Sequence, residues 1–284
     1  MAALILVLER HVPGTQEREQ PSLLFSNIDL REASTVKISF PSGEVLVAEK
    51  RDRWMLRNPV YAAQETAIQN FLTNLSSIRR LDRLPAHEVA LQGSSSFGLE
   101  PAGGTVEVVS GTNLVRFQIG GRAPLTNNIY LRMQPSGDVI VASAQAAELL
   151  PDSPLAWRDP RIVNLADLPF DHLRVRSGPR TLELALNSTN ELWRIARPVP
   201  ARANQGRIAG LLDLLRHASV REFVSDAPSD LERFGLQTPG LELTVLEGTN
   251  RLYEVEFGAV VTNNPQLVYA RLLGVSNVVS VPRE

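Results

Sequence analysis

The chain has 284 residues, 43% of them hydrophobic and 21% charged, with a formal net charge of -2. At about 150 residues per domain this is two folded domains, and those values exclude disorder over most of the length and whole-protein attraction to nucleic acid. Cysteine is absent, which excludes disulfides, thiolate metal sites, cysteine nucleophiles and thiol redox chemistry.

Residues 2–8 are an unbroken apolar run, followed by Glu9, Arg10 and His11. A membrane-spanning helix takes about 20 apolar residues, so this run alone does not span. It also lacks the basic leader and cleavage site of a secretory signal. It reads either as a buried edge strand or as the last two turns of a transmembrane helix that begins upstream. Residues 13–21 are polar, with proline at both ends, and read as a linker. Stub, spacer and globular body is the layout of an anchored protein and favours the second reading.

Residues 36–40 alternate like a half-buried strand, 41–43 turn, and the chain returns from 44. Asp52 and Arg53 turn it again into a strand opened by Trp54, and Pro59 ends this three-stranded meander. Ile68, Phe71, Leu72, Leu75 and Ile78 then fall on one face of a 3.6-residue period, which predicts an amphipathic helix. Phe97-Gly98-Leu99 reads as a helix exit. Strands are predicted at 105–109, 114–119, 129–132 and 139–141, with a short helix at 143–150.

The second half runs the same way. Strands are predicted at 172–176, 181–186 and 192–195, and a helix is predicted through Ile208, Leu211, Leu212, Leu215 and Ala218. Ser229 and Glu232 form a capping-box pattern opening a short helical turn, with Gly235 as its left-handed terminus. Strands follow at 241–246, 251–257, 267–272 and 278–281.

Six matches in the same order make this a duplication. Trp54 matches Trp193 at an offset of 139. Ile68, Phe71, Leu72 and Leu75 match Ile208, Leu211, Leu212 and Leu215 at 140. Phe97-Gly98-Leu99 matches Phe234-Gly235-Leu236 at 137. Ile119-Gly120 matches Phe257-Gly258 at 138, and Tyr130 with Arg132 matches Tyr269 with Arg271 at 139. Asn27 matches Asn164 upstream. The expected organisation is an anchor and linker at 1–21, repeat unit 1 at 22–150, a junction at 151–160 and repeat unit 2 at 161–284. The fold class is α+β: two tandem copies of an antiparallel-sheet unit, each with one long amphipathic helix packed on the sheet. Either each copy closes its own core or one sheet continues across both.

Few residues suggest chemistry. Trp54 and Trp193 have the rings to stack a sugar or base, but recurrence favours an anchor between meander and helix. Trp157 is unpaired and reads as an interface residue at the junction. Asn127 and Asn128, with Asn263 and Asn264, recur before a Tyr-x-Arg strand and offer paired polar loops, although Asn is also a turn former. Tyr130 with Arg132, and Tyr269 with Arg271, sit two apart on one strand face and offer a stacking-plus-cation contact. These nine residues, Trp157 included, are the candidate binding surface.

His11, His87, His172 and His217 are isolated, and no metal-ligand spacing occurs, so no metal or cofactor is expected. Asp159 and Asp167 are the carboxylates that a hydrolase between the repeats would use, and nothing places a second acid at the required separation. There is no nucleophile elbow, Walker loop or dinucleotide fingerprint. Gly103-Gly104 and Gly120-Gly121 read as turn glycines.

A meander ending in Trp-x4-Pro, an amphipathic helix, Phe-Gly-Leu, a strand ending in glycine and Tyr-x-Arg, all occurring twice, resembles an uncharacterised bacterial family of duplicated domains of unknown function. The resemblance covers about residues 28–281. Copy two departs from it by one extra residue before Pro239. Members of that family begin with a transmembrane helix, lie outside the cytoplasm and are often encoded beside gliding-motility-type ABC transporter components. The resemblance therefore implies a non-enzymatic, periplasmic binding or scaffold module tethered to the inner membrane, with residues 2–8 as the stump of its helix. A protein of a transport complex, or a polymer, is its expected partner, and nucleic acid is not. A carboxylate-dependent hydrolase, a purely structural scaffold and a cytoplasmic location are the alternatives.

Overall fold

The computed structural model describes residues 22–57, 60–124, 127–166 and 168–283. The apolar run, the linker, Pro59, Thr126 and Asp167 lie outside the described residues. The chain divides into two compact units between Asp159 and Pro160.

Unit 1 contains β1 (Ser22–Leu23), β2 (Ala33–Ser39), β3 (Val45–Lys50), β4 (Trp54–Arg57), β5 (Tyr61–Ala62), α1 (Glu65–Ser77), β6 (Arg79–Leu84), α2 (Ala86–Gln92), β7 (Gly104–Ser110), β8 (Asn113–Arg122), β9 (Ile129–Gln134) and β10 (Val139–Ala142). Its strands form one antiparallel sheet in the order β1-β6-β10-β9-β8-β7-β2-β3-β4-β5. The meander β2 to β5 walks outward to one edge. The 13-residue α1 then carries the chain back to β6 near the other edge. β7 enters beside β2, and the second meander walks out to meet β6. Alternation along β2 and β7 puts Val36, Ile38, Val106 and Val108 in the core. Helix α1 buries Ile68, Phe71, Leu72 and Leu75.

Unit 2 contains β11 (His172–Ser177), β12 (Arg180–Asn187), β13 (Leu192–Arg197), β14 (Ala201–Arg202), α3 (Gln205–His217), β15 (Glu222–Ser225), β16 (Leu241–Glu247), β17 (Asn250–Val261), β18 (Asn264–Leu272) and β19 (Val278–Pro282). Its sheet order is β14-β13-β12-β11-β16-β17-β18-β19-β15. Strand for strand this is the order of unit 1 without β1, so the sequence duplication is a duplication of topology. Each copy has its own sheet. Ile208 and Leu212 of α3 share a core with Leu173, Leu184, Val245, Val255 and Val281.

Three sequence expectations need correction. Gly120 and Gly121 are not in a turn. They lie within β8, at an irregularity of the β8–β9 pairing between Ile119 and Arg122. The turn before Phe234 is a 3-10 turn whose first amide is capped by Asp230, not Ser229: the Glu232 N–H donates to its Oδ1 at 2.8 Å. Residues 144–148 form a 3-10 turn packed within unit 1 instead of a helix between copies.

Candidate functional site

The recurring motifs converge on one piece of architecture. In unit 1 a 3-10 turn (Ser94–Phe97) ends in Gly98 at φ 62°, and in unit 2 the turn Glu232–Phe234 ends in Gly235 at φ 67°. Both glycines adopt the left-handed conformation that a side chain resists. Phe97 meets the Tyr130 ring edge-on at 5.1 Å and 87°, and Phe234 meets Tyr269 at 5.0 Å and 69°. Phe97, Leu99 and Val139 form a satellite core under the first turn, and Phe234, Leu236 and Val278 form one under the second. The backbone of each turn presses on the glycine of the neighbouring strand. A Cβ on Gly120 would lie 2.5 Å from the Phe97 carbonyl oxygen, and one on Gly258 would lie 2.2 Å from that of Phe234.

Tyr130 and Tyr269 therefore lie half-buried in packing. Arg132 donates to the Ser94 hydroxyl at 3.2 Å, and Arg271 pairs with Glu256 across β17–β18. Asn127 accepts from Arg122 at 3.1 Å, and the Asn128 carbonyl accepts from the Ala123 amide at 2.8 Å. Asn264 caps its own turn by accepting from the Gln266 amide at 3.2 Å, and Asn263 is exposed at the hairpin tip. The two asparagine pairs are not equivalent in the fold. Asn128 lies two residues before Tyr130, and Asn264 lies five before Tyr269, because the β17–β18 hairpin is longer.

The tryptophans sit alike but are covered differently. The Glu65 carboxylate accepts from the Trp54 amide at 3.4 Å, and Gln205 accepts from the Trp193 amide at 3.0 Å. In each copy the first helical residue thus ties the helix to the third strand. Trp54 is 3% exposed, whereas Trp193 is only partly buried, against Phe170.

The cover over unit 1 is its own C-terminal strap, residues 143–159. Ala146 and Leu149 of the strap are buried, and Leu150 lies over Gly104. Trp157 packs within unit 1. It is 4% exposed and stacks edge-on against Phe71 of α1 at 5.0 Å, because the strap folds back on the helix. The strap then runs along the edge of the sheet. The Gln64 amide donates to the Trp157 carbonyl at 2.7 Å, and the Asp159 amide donates to the Ala62 carbonyl at 2.9 Å. The Arg158 guanidinium lies 3.4 Å over the Tyr61 ring.

Unit 2 shows the same flank open. A groove of about 510 Å³ runs between α3 and the sheet, lined by Leu211, Leu214, Leu215, Ala218, Leu241, Leu243, Phe257 and Val268, with His217 and Arg283 at its polar positions. A shallower opening of about 940 Å³ lies at the β13–β14 edge, lined in part by Trp193, Arg194, Arg202 and Gln205. Phe71, Leu75 and Ile78 are buried in unit 1, whereas their counterparts Leu211, Leu215 and Ala218 are half-buried. An apolar concavity of this size with a few polar groups is what a ligand site requires. Sequence reading missed it. The available signal was the smaller side chain at two of these paired positions, Leu211 for Phe71 and Ala218 for Ile78.

The other titratable groups form small pairs. The His172 imidazole lies 2.6 Å from Asp171, which also accepts from the Gly248 amide at 2.7 Å. The hydrogen bond from His172, with help from that amide, holds the Asp171 carboxyl below its ordinary range. His217 turns toward Asp213, and His87 is exposed. Among the described residues no three metal-ligating side chains converge, and no helix is long and apolar enough to cross a membrane.

The fold and its flanks define a tandem antiparallel-sheet protein whose repeated residues hold a common shape. The sequence profile of the domain of unknown function DUF4340 matches residues 54–191 and 193–284. The chain belongs to that family, and the two matches begin at the paired residues Trp54 and Trp193. No curated protein and no solved structure matches the chain.

Proposed function

We propose that the chain is a non-enzymatic binding or scaffold module, tethered on the extracytoplasmic side of the inner membrane, that assists an ABC-type transport or surface-assembly system by engaging a partner. The observation that carries the binding role is the apolar groove between α3 and the unit 2 sheet. The recurring tyrosines pack on Phe97 and Phe234, so the groove and not these rings is the surface offered to a partner. In this reading the long amphipathic helix packed on each sheet belongs to the shape that duplication preserves, and copy two adds an open flank to it. The tether is supported by the apolar run and linker before the first unit, and the transport context by what the family resemblance implies.

The test is isolation of the anchored full-length protein from native membranes, alongside a Leu214→Glu/Leu241→Glu variant. These leucines are 58% and 37% exposed, so the fold tolerates the change. Transporter components should accompany the natural protein and fall several-fold with the variant. Their absence from the natural preparation, or equal recovery from both, overturns the proposal.

A further inference from the structure

We infer that the open flank of unit 2 is the docking site for an acidic, leucine-bearing linear segment of a partner chain, similar in chemistry to the strap that covers unit 1. The inference rests on the binding role proposed above and names its ligand class.

The two units supply the comparison. Gly104 pairs with Ile119 in unit 1, and Leu241 pairs with Phe257 in unit 2, so Gly104 and Leu241 are register equivalents. Over Gly104 lies Leu150: a Cβ built there would be 2.8 Å from its Cδ1. Against the helix lies Trp157, on Phe71. Beyond the last strand, the Trp157 and Asp159 main chain hydrogen-bonds to the segment around β5. In unit 2 the equivalent positions are the groove at Leu241, the half-buried Leu211 and the edge strand β14, whose outer side no described strand pairs. A segment that seats apolar side chains in the groove and lays its backbone along β14 repeats a contact the fold already makes once.

Charge gives the rest of the chemistry. Arg194 and Arg202 face each other directly across β13–β14, where unit 1 has Met55 opposite Ala62. Like charges directly opposite repel, and an incoming carboxylate relieves them. Arg283 lines the groove, and no carboxylate lines either opening. The strap of unit 1 carries Glu148, Asp152 and Asp159 against Arg158 alone. An acidic segment complements unit 2 in the same sense.

The probe is a fluorescent peptide of residues 143–159, titrated into the full chain. Saturable one-to-one binding is expected. It should weaken at least about tenfold for a peptide with Leu149→Ala and Leu150→Ala, weaken with added salt, and weaken likewise for the Leu214→Glu/Leu241→Glu protein with an unchanged melting temperature. A photo-crosslinker at the Leu150 position of the peptide should label the start of β16 around Leu241, and one at the Trp157 position should label α3 around Leu211. Absence of saturation at about 1 mM overturns the inference, as does equal binding of the peptide with both Leu149 and Leu150 replaced. Preferential binding of dodecanoate, or self-association of the chain lost in the variant, also overturns it by giving the groove to a lipid chain or a second copy. Transporter components still lost from the variant membranes after a failed titration would remove only this ligand class, not the binding role.

Discussion

Gly258 lies against the carbonyl oxygen of Phe234 so closely that a Cβ on it would be 2.2 Å away, and Gly120 stands in the same relation to Phe97 at 2.5 Å. Backbone is on both sides of the contact, so a methyl group cannot be accommodated by rotating a side chain. Gly120→Ala and Gly258→Ala should each cost about 2 kcal/mol or more, as overpacking against fixed atoms does. Gly210→Ala is the control: it sits in α3 with nothing within 4 Å of its Cβ position, and it should gain up to about 1 kcal/mol of helix propensity. Urea denaturation of the three variants checks this. A loss below 1 kcal/mol at Gly258 would mean that the turn yields.

The paired tryptophans should differ in the same experiment. Trp54 is 3% exposed, so Trp54→Ala creates an enclosed cavity costing about 3–5 kcal/mol. Trp193 borders an open depression. Water replaces part of its ring, so Trp193→Ala should cost about 1–3 kcal/mol. Equal losses would show that unit 2 covers its tryptophan in solution.

The sequence discloses those parts of the fold that have a period. The alternation of residues 36–40 and 105–109 yields β2 and β7, and the spacing from Ile68 to Leu75 coincides with the residues α1 buries. The edge strands β5 and β14 have only two residues each, too few for any alternation to register. β6 reads Arg-Arg-Leu-Asp-Arg-Leu, and its pairing is decided by β10 beside it, not by its own composition. Gly120 looked like a turn residue because glycine usually is one. Its reason is a contact with Phe97, about two dozen residues earlier, which local pattern cannot carry. The candidate surface suffered similarly: Tyr-x-Arg announces a shared strand face but not that Phe97 and Phe234 cover the tyrosines. The groove was least legible, because it depends on which segment lies over a helix.

Asp171 gives a pH prediction. Its carboxyl is held below the ordinary value of 3.8 by His172 and the Gly248 amide. A group with a lowered folded-state pKa stabilises fully above its unfolded value and loses that contribution as pH falls through the folded one. The natural protein should therefore exceed Asp171→Asn in melting temperature at pH 5–6, and the gap should close below about pH 4. The pair is some 40% exposed, so the gap corresponds to less than about 1 kcal/mol. A gap that persists at pH 2.5 would assign the effect to the turn and not to the charge.

The strap itself is open to a direct test within unit 1. If residues 143–159 do for α1 what a partner segment does for α3, loosening the strap should turn unit 1 into a likeness of unit 2. Trp157→Ala removes the ring on Phe71 and should cost about 3–5 kcal/mol. Leu150→Ala should cost about 2–4 kcal/mol by uncovering Gly104. Both variants should gain binding of a hydrophobic fluorescent dye at the α1 flank. Peptide 143–159, added in trans, should reverse that gain in the Trp157→Ala chain, because the vacated surface is the one the peptide is shaped for. The natural protein should also bind the dye at the unit 2 groove, and the peptide should displace it there. Dye displaced from the loosened unit 1 but not from the natural protein would separate the two flanks and show that unit 2 reads a different segment.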